Sequence, residues 1–476
     1  MANWYVRPSG TTYGNADGTT YEDAWSGFGN IVWDGAGIQG NDTLYVCGTY
    51  GGGAGNRLEV GMSGNSNAER LTIRGDYPGD PGIFDGSDWD GIRFGYTVSG
   101  HSGYMEPENN LNFIGLTFVN GHTGLWSCGG SHNITVDSCK FENLGLKGAS
   151  FVGSAEGDPI RYAENIWVKN SEFIDIAEWG DHGGSSLAFA RSARNTLTED
   201  CIFQGDGSDR GVDGVLIENL GDRKGNNHVI RRNVFSGHFE NGVDFKGSET
   251  SPEGEGPSHV YENTFFDQTV QAHLNIHFGA QHIIIERNQF LDGHSGVAFP
   301  SKEEDLEDGY VTIQYNLFVN LGQHAIFNSK AGTLGHGKIV NNTLYNIGFD
   351  NPNSFSIQIN SNDWVIKNNI FYHLSIGKSP HSSIWFRDEV DMNTIDVDNN
   401  CHFQYSGTSA FRMPDDSYQT VEQVESNGIQ ADPLFVDAAG GNYHLDEGSP
   451  CFGLGVLVDD VHPAYNLNNV LIGAAG

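Results

Sequence analysis

The chain repeats one short phrase, and this repeat constrains the fold more than any other feature of the sequence. The phrase consists of a few β-branched or polar residues followed by an aromatic residue, and it often ends in Asn, any residue and Phe. It recurs every 23 to 32 residues. This period is too long for a hairpin and fits one coil of a parallel solenoid, with loops absorbing the differences in length. The repeated positions are Phe118, Phe141, Phe173, Phe203, Phe235, Phe265, Phe290, Phe318, Leu344 and Phe371.

Stacked coils place equivalent residues about 4.8 Å apart, and the run before each phrase alternates, so one strand face is buried. We therefore predict an internal aromatic ladder and, two residues earlier in each coil, a buried ladder of asparagine amides. Cys139 and Cys201 occupy the asparagine position in two coils, so we expect these thiols to be internal. The ladder asparagines are Asn233, Asn263, Asn288, Asn316, Asn342 and Asn369.

The predicted fold is all-β: a single-stranded, right-handed parallel β-helix with about ten or more coils and capped ends, because solenoid ends must cover their core. We assign residues 1–60 to an N-terminal first strand and cap, and residues 61–403 to the coils. Residues 404–476 form a C-terminal coil and cap of the same domain. The six cysteines contain no Cys-x-x-Cys pair, so we expect neither a zinc ribbon nor a dense disulfide framework.

The net charge of −36 excludes nucleic acid and anionic membranes as partners, since phosphate binding needs clustered Lys and Arg. The chain also lacks an apolar run of about 18 residues, so we expect no membrane span. Its first residues contain neither a basic segment nor an apolar segment of the kind found in signal peptides, so we expect no signal peptide in this sequence. We therefore expect an extracellular protein whose signal has been removed, or a component of a phage virion. An acidic substrate would need a local basic cleft, calcium or screening salt.

A second strand follows each phrase, and its third and fifth residues are predicted to point outward. This alignment concentrates polar and ionisable groups on three neighbouring coils, with small or apolar residues on both sides. The fifth position reads Ala190, Glu218, Lys246, His277, Pro300 and Asn328. The third position reads Ala188, Leu216, Asp244, Asn275, Ala298 and Ile326.

Basic residues gather in the same part of this acidic chain. Eight of the 25 Lys and Arg residues fall within one short stretch, which suggests a local positive surface around these coils. The eight are Arg191, Arg194, Arg210, Arg223, Lys224, Arg231, Arg232 and Lys246.

The repeated coils over residues 71–403, together with the terminal Asp-Pro-Leu-Phe and Gly-Ser-Pro phrases, resemble the pectate-lyase-like superfamily of right-handed β-helices. That superfamily includes lyases, hydrolases, epimerases, esterases and phage tailspikes, so the resemblance implies the fold more strongly than the activity. The segment from Glu240 to Lys246 is also similar to phrases of calcium-dependent lyases, in which acidic residues hold Ca²⁺ and a lysine on a later coil is the base. Here Asn241 replaces an aspartate, and no lysine lies between Lys246 and Lys302.

We therefore predict a polysaccharide lyase, a carbon–oxygen lyase that cleaves an acidic, uronate-containing polysaccharide by β-elimination in a groove along the parallel sheet. A base removes the proton at C5 after the carboxylate has been neutralised by arginine or Ca²⁺. The assigned catalytic residues are Lys246, His277 and Arg223. The assigned substrate-binding residues are Arg191, Arg210, Lys224, His273, Asn275 and Glu218. The assigned ligands for a possible Ca²⁺ are Asp213, Glu240 and Asp244.

Two alternatives stay open. A glycoside hydrolase of the same fold would use paired carboxylates drawn from Asp181, Asp213, Glu218 and Asp244. A non-catalytic glycan-binding phage spike would instead stack sugars on Trp126, Trp179 or Trp385. We expect a monomer, or a trimer if the chain is a phage spike.

Overall fold

A computed structural model of the chain is almost entirely β-structure. Within the part of the chain that it describes, the α-helix is Val421–Val424, and 3-10 turns occur at Phe28–Asn30, Met392–Thr394 and Ala438–Gly440. None of the described helices is long and apolar enough to cross a membrane. The described residues are 1–52, 56–86, 91–94, 107–153, 161–177, 184–205, 212–218, 227–237, 240–246, 257–277, 283–299, 310–328, 336–350, 354–374, 382–403 and 410–458.

The chain divides into two compact units, residues 1–240 (unit 1) and residues 241–476 (unit 2). Both are built of parallel stacked coils, which confirms the predicted parallel β-helix fold. The assignment of the ends as caps and of the whole chain as one domain stays a prediction.

Unit 1 stacks its coils through three rows of parallel strands. Row 1 holds the alternating segments that precede the phrases, row 2 holds the phrases, and row 3 holds the second strands. Row 1 comprises Asn3–Arg7, Trp25–Ser26, Thr43–Val46, Leu71–Arg74, Leu111–Ile114, His132–Asp137, Ala163–Lys169, Ala193–Glu199 and His228–Arg231. Row 2 comprises Thr49–Gly51, Ile83–Asp85, Thr117–Val119, Lys140–Glu142, Glu172–Ile174, Ile202–Gln204 and Val234–Ser236. Row 3 comprises Leu58–Glu59, Ile92–Phe94, Thr123–Ser127, Lys147–Val152, Gly184–Ala190 and Val212–Glu218.

Unit 2 repeats this plan, but three of its strands run through rows 2 and 3 without a break. These long strands are Thr264–His277, Gln289–Phe299 and Leu317–Asn328. Row 1 comprises Ser258–Tyr261, Ile283–Glu286, Tyr310–Gln314, His336–Val340, Trp364–Lys367 and Asp396–Asp398. The remaining strands of row 2 are Thr343–Tyr345, Ile370–Tyr372, Cys401–Phe403 and Ile429–Gln430. The remaining strands of row 3 are Val243–Lys246, Ile357–Ile359, Ile384–Phe386 and Phe411–Arg412.

Antiparallel pairing is confined, among the described strands, to the C-terminal part of unit 2. Phe411–Arg412 pairs with Tyr418–Gln419, and Phe435–Asp437 pairs with Asn442–Leu445. This change of direction accompanies the end of the coil stack.

The predicted aromatic ladder is present in each unit. In unit 1 the rings from Phe118 to Phe235 stack with centroids 4.7 to 5.0 Å apart. In unit 2 the Phe290 ring lies 4.9 Å from Phe265 and 4.7 Å from Phe318. These distances match the spacing of neighbouring strands, so the ladder follows directly from the coil repeat.

The asparagine ladder is also confirmed. In unit 2 each amide Nδ2 donates to the Oδ1 atom of the next coil, from Asn263 through Asn369 to Asn400, at 2.9 to 3.1 Å. In unit 1 Cys139 and Cys201 occupy this position and are internal, with exposures of 2% and 1%. Their thiols contact the backbone oxygens of Phe113 and Val168 in place of an amide.

Corners between rows are made by Asn and Asp residues with positive φ, a conformation that these short polar side chains tolerate. At the start of the row 1 strand His132–Asp137, Asn133 also has a positive φ, of 58°, and donates from Nδ2 to Asn110 Oδ1 at 2.8 Å. Asn165 continues the same ladder onto Asn133 at 3.1 Å. The long strands of unit 2 bend in the same way, at Asp267, Asp292 and Asn320.

Candidate functional site

Row 3 carries the candidate site, and in both units part of its outer face is buried. The residues that alternate with the core residues are buried: Ala188 is 0% and Leu216 is 7% exposed in unit 1, and Asn275 is 2% exposed in unit 2. Charged groups on this face therefore lie in a water-poor environment, where electrostatic interactions are stronger than at an open surface.

In unit 1 the strand register brings four charged residues to row 3. Lys147 lies across from Ser185, which lies across from Asp213, so these three occupy equivalent positions on successive coils. At the far end of the same strands, Glu218 lies across from Ala190. Arg191 follows directly, and its backbone N–H donates to the Glu218 carbonyl oxygen at 2.7 Å. We call Lys147, Arg191, Asp213 and Glu218 the Lys147 cluster.

The cluster is electrostatically coupled around the lysine. Burial lowers the pKa of Lys147, which is half-buried, because desolvation disfavours the charged amine. The negative charges of Glu218 and Asp213 oppose this effect, and the positive charge of Arg191 adds to it. A lowered pKa increases the share of the neutral, basic form of the amine relative to that of an exposed lysine.

Arg191 is held in an unusual backbone conformation. Its φ is 52°, and Ser192 follows with a φ of 75°, so two consecutive non-glycine residues adopt the left-handed region. Such conformations cost on the order of 1 kcal/mol or more each, and the surrounding structure must enforce them. The chain here bends sharply from row 3 into row 1 and leaves the Arg191 side chain exposed.

In unit 2 row 3 brings together a second polar group, the Asp244 cluster of Asp244, Lys246 and Asn275. Asp244 lies across from Asn275, and Lys246 lies across from His277. The Lys246 Nζ atom is 2.9 Å from Asp244 Oδ2, so the two side chains share the outer face as the sequence predicts. Asp244 is completely buried, whereas the Lys246 side chain is 30% exposed.

Several predicted site residues fall elsewhere. His273 is 1% exposed, and its ring lies inside the coil, 5.9 Å from Phe265 and 6.0 Å from Phe290. Burial lowers the pKa of His273 to about 3, so this residue is a neutral core histidine and does not fit a substrate-binding role. Arg210, Arg223, Lys224, Trp179 and Asp181 lie outside the described residues, as does the side chain of His277.

The alignment is also wrong by one residue in one coil. Ala298 lies across from Phe327, not from Ile326, and Phe299 lies across from Asn328. Ile326 and Asn328 therefore point inward, and both are 0% exposed. The cause is an irregularity between Gly293 and Ser295, where the register of the two long strands shifts.

Three of the clustered arginines are engaged on row 1 instead of row 3. The Arg194 Nε atom lies 2.6 Å from Glu164, and the Arg231 Nη2 atom lies 2.6 Å from Glu199. Arg232 pairs with both Glu199 and Asp200, at 2.7 and 2.8 Å. Their sequence clustering reflects ion pairs between coils, and neither Arg231 nor Arg232 is a partner of Glu218 in these pairs.

Calcium binding by Asp213, Glu240 and Asp244 stays a prediction. Asp213 is 2% exposed, and the backbone N–H of Glu240 bonds to the carbonyl of the neighbouring Val212 at 2.8 Å. The Asp244 carboxylate already contacts Lys246. Within the described ranges, no group of three or more His, Cys, Asp or Glu side chains is arranged to hold a metal ion. We therefore derive no chemical step through calcium.

Lys147 is the residue that sequence reasoning missed. The alignment of second strands began one coil too late, at the strand that ends in Ala190. The strand Lys147–Val152 is one residue shorter than Gly184–Ala190 and places Phe151 across from Phe189. Extending the alignment by one coil toward the N-terminus would have placed Lys147 on row 3.

Comparison with known proteins supports the fold. No protein family matches the chain, and no curated protein matches it. Among solved structures, it is similar to the PL6 family alginate lyase AlyGC, with a TM-score of 0.56 and 15% identity over 87% of this chain. It is also similar to a double mutant of the tailspike protein of E. coli bacteriophage HK620 in complex with a pentasaccharide, with a TM-score of 0.53 and 13% identity over 90% of this chain.

The matched shares of those structures differ. The chain spans 53% of the alginate lyase, about half its length, and 72% of the tailspike. At these identities the likeness establishes a common parallel β-helix fold.

Proposed function

We propose that this chain is a polysaccharide lyase that cleaves a uronate-containing polysaccharide by β-elimination along row 3 of its parallel sheet. The observation that carries the proposal is Lys147, a half-buried lysine of row 3 with a lowered pKa, which interacts electrostatically with an arginine and two carboxylates. A perturbed lysine in a charged, shielded position is a candidate general base.

The chemistry requires two functions that the Lys147 cluster can supply. A cation must neutralise the uronate carboxylate so that the C5 proton becomes acidic, and the exposed guanidinium of Arg191 is suited to that role. Neutral Lys147 then takes the C5 proton. The electron pair of the C5–H bond forms a C4–C5 double bond, and the C4–O bond breaks to release the next sugar, whose oxygen takes up a proton.

The similarity of fold to solved structures supports a saccharide as the substrate of this reaction. Two solved structures with the same fold are an alginate lyase and a tailspike in complex with a pentasaccharide, so both act on or bind saccharides. In each unit, row 3 stacks parallel strands from successive coils, and a polymer can lie across them. The proposed base is therefore Lys147 and not Lys246, because the Lys246 amine pairs with the Asp244 carboxylate.

A glycoside hydrolase is the second candidate, favoured by the presence of two carboxylates around Lys147. Asp213 is buried and Glu218 is half-buried, and such different environments allow one carboxyl group to act as acid and the other as base. This alternative predicts hydrolysis without an unsaturated product.

The decisive experiment incubates the protein with alginate, polygalacturonate and other acidic polysaccharides, with and without EDTA, and follows ultraviolet absorbance and reducing ends. We expect rising absorbance from a conjugated unsaturated uronate, lost in Lys147→Ala and retained in Lys140→Ala, whose exposed lysine pairs with Glu142 on row 2. Reducing ends without absorbance would replace the lyase by the hydrolase. Neither signal, with binding intact, would identify a non-catalytic spike. Loss of activity in EDTA would support the calcium prediction.

A further inference from the structure

A second group of charged and aromatic residues lies on row 3 of unit 2, apart from the Asp244 cluster. Gln358, Trp385 and Arg412 lie across from one another on three successive coils. The Trp385 ring has two guanidinium groups close to it, since the Cζ atoms of Arg387 and Arg412 are each 4.3 Å from its centroid. The ring of Phe355 lies 4.7 Å from the indole on a neighbouring coil.

The two arginines differ in how their charges are satisfied. Arg412 donates from Nε to Asp416 Oδ1 at 3.0 Å, and its Nη2 lies 2.7 Å from the same carboxylate. Arg387 forms no ion pair with any described residue, although it stands in a chain with 61 acidic residues. Two like charges beside one ring repel, so a further anion near Arg387 would relieve the repulsion.

Two donor atoms at this place also lack a partner among the described residues. The Nε1 atom of Trp385 and the Nε atom of Arg387 are shielded from solvent and form no hydrogen bond. A shielded donor left unsatisfied is costly, and native proteins place few of them outside functional positions. Both atoms belong to residues on the outer face of row 3, the face on which a polysaccharide would lie.

We infer that Trp385, Arg387 and Arg412 form a binding subsite for an anionic saccharide unit, with Arg387 as the residue that holds its carboxylate or sulfate. Stacking on the indole fixes the plane of the Arg387 guanidinium and leaves its N–H groups for a two-point contact with an anion. Arg412 is already paired with Asp416, and its contact with the Trp385 ring helps to hold the indole in position.

The inference rests on the proposed function in taking a saccharide as the ligand, but it concerns binding and not cleavage. Its test therefore uses the Lys147→Ala background, in which turnover is removed. Binding is measured by calorimetry with size-fractionated oligosaccharides of alginate, which carry carboxylates, and of dextran sulfate, which carry sulfates. Unmodified dextran is the neutral probe.

We expect Arg387→Gln to weaken binding of at least one anionic oligosaccharide about tenfold or more, the usual worth of a charge-assisted hydrogen bond. Trp385→Phe, which keeps a ring but removes the N–H, should weaken it less. Arg74→Gln is the matched control, because Arg74 lies on row 1 and pairs with Asp76. The oligosaccharide whose affinity falls in Arg387→Gln shows whether the subsite binds a carboxylate or a sulfate.

The inference is overturned if Arg387→Gln binds both anionic oligosaccharides within twofold of the background protein while its thermal unfolding is unchanged. It is equally overturned if the Arg74→Gln control loses as much affinity. If cleavage assays give no product but Arg387-dependent binding persists, the lyase proposal fails and the subsite stands. If product forms but Arg387→Gln is without effect on binding, the subsite fails and the lyase proposal stands.

Discussion

The Nζ atom of Lys246 lies 2.9 Å from the Oδ2 atom of Asp244, a carboxylate with no solvent exposure. This contact joins a half-exposed cation to a buried anion on one face of one strand. Removing one partner of such a pair costs more than removing both, because a buried charge is left with less compensation.

Lys246→Met is therefore expected to lower the free energy of unfolding by on the order of 2 kcal/mol, and the double variant Asp244→Asn, Lys246→Met should recover part of that loss. Urea unfolding of the four proteins in this cycle measures the coupling. Lys140→Met is the control, since Lys140 and Glu142 are both partly exposed and their pair is worth about 0–1 kcal/mol. Additive losses in the cycle would show that Lys246 does not stabilise Asp244.

The Lys147 proposal predicts a specific dependence of activity on pH. A lysine base works in its neutral form, and burial lowers the pKa of Lys147, so kcat/KM should rise with pH along a limb that lies below the ordinary lysine value of about 10.4. Glu218→Gln removes a negative charge that raises this pKa and should shift the limb to lower pH. A limb that stays in place in Glu218→Gln would argue against Lys147 as the titrating group.

The same pKa predicts the effect of Lys147 on stability. A lysine whose folded-state pKa lies below its unfolded value releases its proton more readily when folded, so protonation opposes folding. Lys147→Met should therefore stabilise the protein at neutral pH, and the difference should shrink as pH rises through the lowered pKa toward about 10.4. Thermal unfolding across this range measures it. A difference that grows with pH would contradict the sign.

The contribution of the asparagine ladder of unit 2 to stability can be tested by replacing one of its residues. Asn316 is fully buried, accepts hydrogen bonds from the Asn288 backbone and side chain at 2.9 and 3.0 Å, and donates to Ile285 and Asn342. Asn316→Ala should cost about 3 kcal/mol, because several buried partners lose their hydrogen bonds. Asn316→Cys should cost less, since Cys139 and Cys201 already fill equivalent positions in unit 1. Equal losses for the two variants would show that a thiol gives no compensation there.

Sequence periodicity was sufficient to predict the ladders because each ladder residue repeats in every coil, and a single alignment fixes all of them. The Phe118 to Phe235 stack and the Asn263 to Asn369 series follow from strand spacing alone. The outer face of row 3 was harder, because its residues do not repeat. A one-residue shift between Gly293 and Ser295 was enough to turn Ile326 inward.

The candidate site depended on contacts that spacing does not encode. Arg194, Arg231 and Arg232 are close in sequence to Arg191 but lie on row 1, where acidic residues of neighbouring coils engage them. Lys147 is distant in sequence from Asp213 and Glu218, yet row 3 register brings it to them. His273 directly follows a register shift between Gln268 and Ala272 in a long strand, so simple alternation does not predict whether its side chain points inward or outward.

The asparagine ladder of unit 2 ends on a carboxylate, and this end is predicted to hold the last coils together. Glu425 accepts from the Asn400 backbone N–H at 2.9 Å and from the Asn400 amide at 3.1 Å, and it contacts His402 Nε2 at 2.8 Å. His402 replaces phenylalanine in the aromatic ladder, stacked 4.9 Å from Phe371, and its Nδ1 lies 2.7 Å from Ser383 Oγ. The histidine and glutamate side chains are both fully buried.

Glu425→Ala would leave the two Asn400 donors and His402 without their shared acceptor, and we expect a loss of about 3 kcal/mol or more in the free energy of unfolding. Glu422→Ala is the matched control, because Glu422 lies on the short helix that Glu425 caps at its C-terminus, and Glu422 is exposed. The loss should be local first, so hydrogen exchange should quicken at residues 400–403 and 429–430 before it does at Asn288 and Asn316, whose ladder partners remain. If hydrogen exchange quickens equally in both groups of residues, Glu425 stabilises the whole coil stack of unit 2 and not only its last coils.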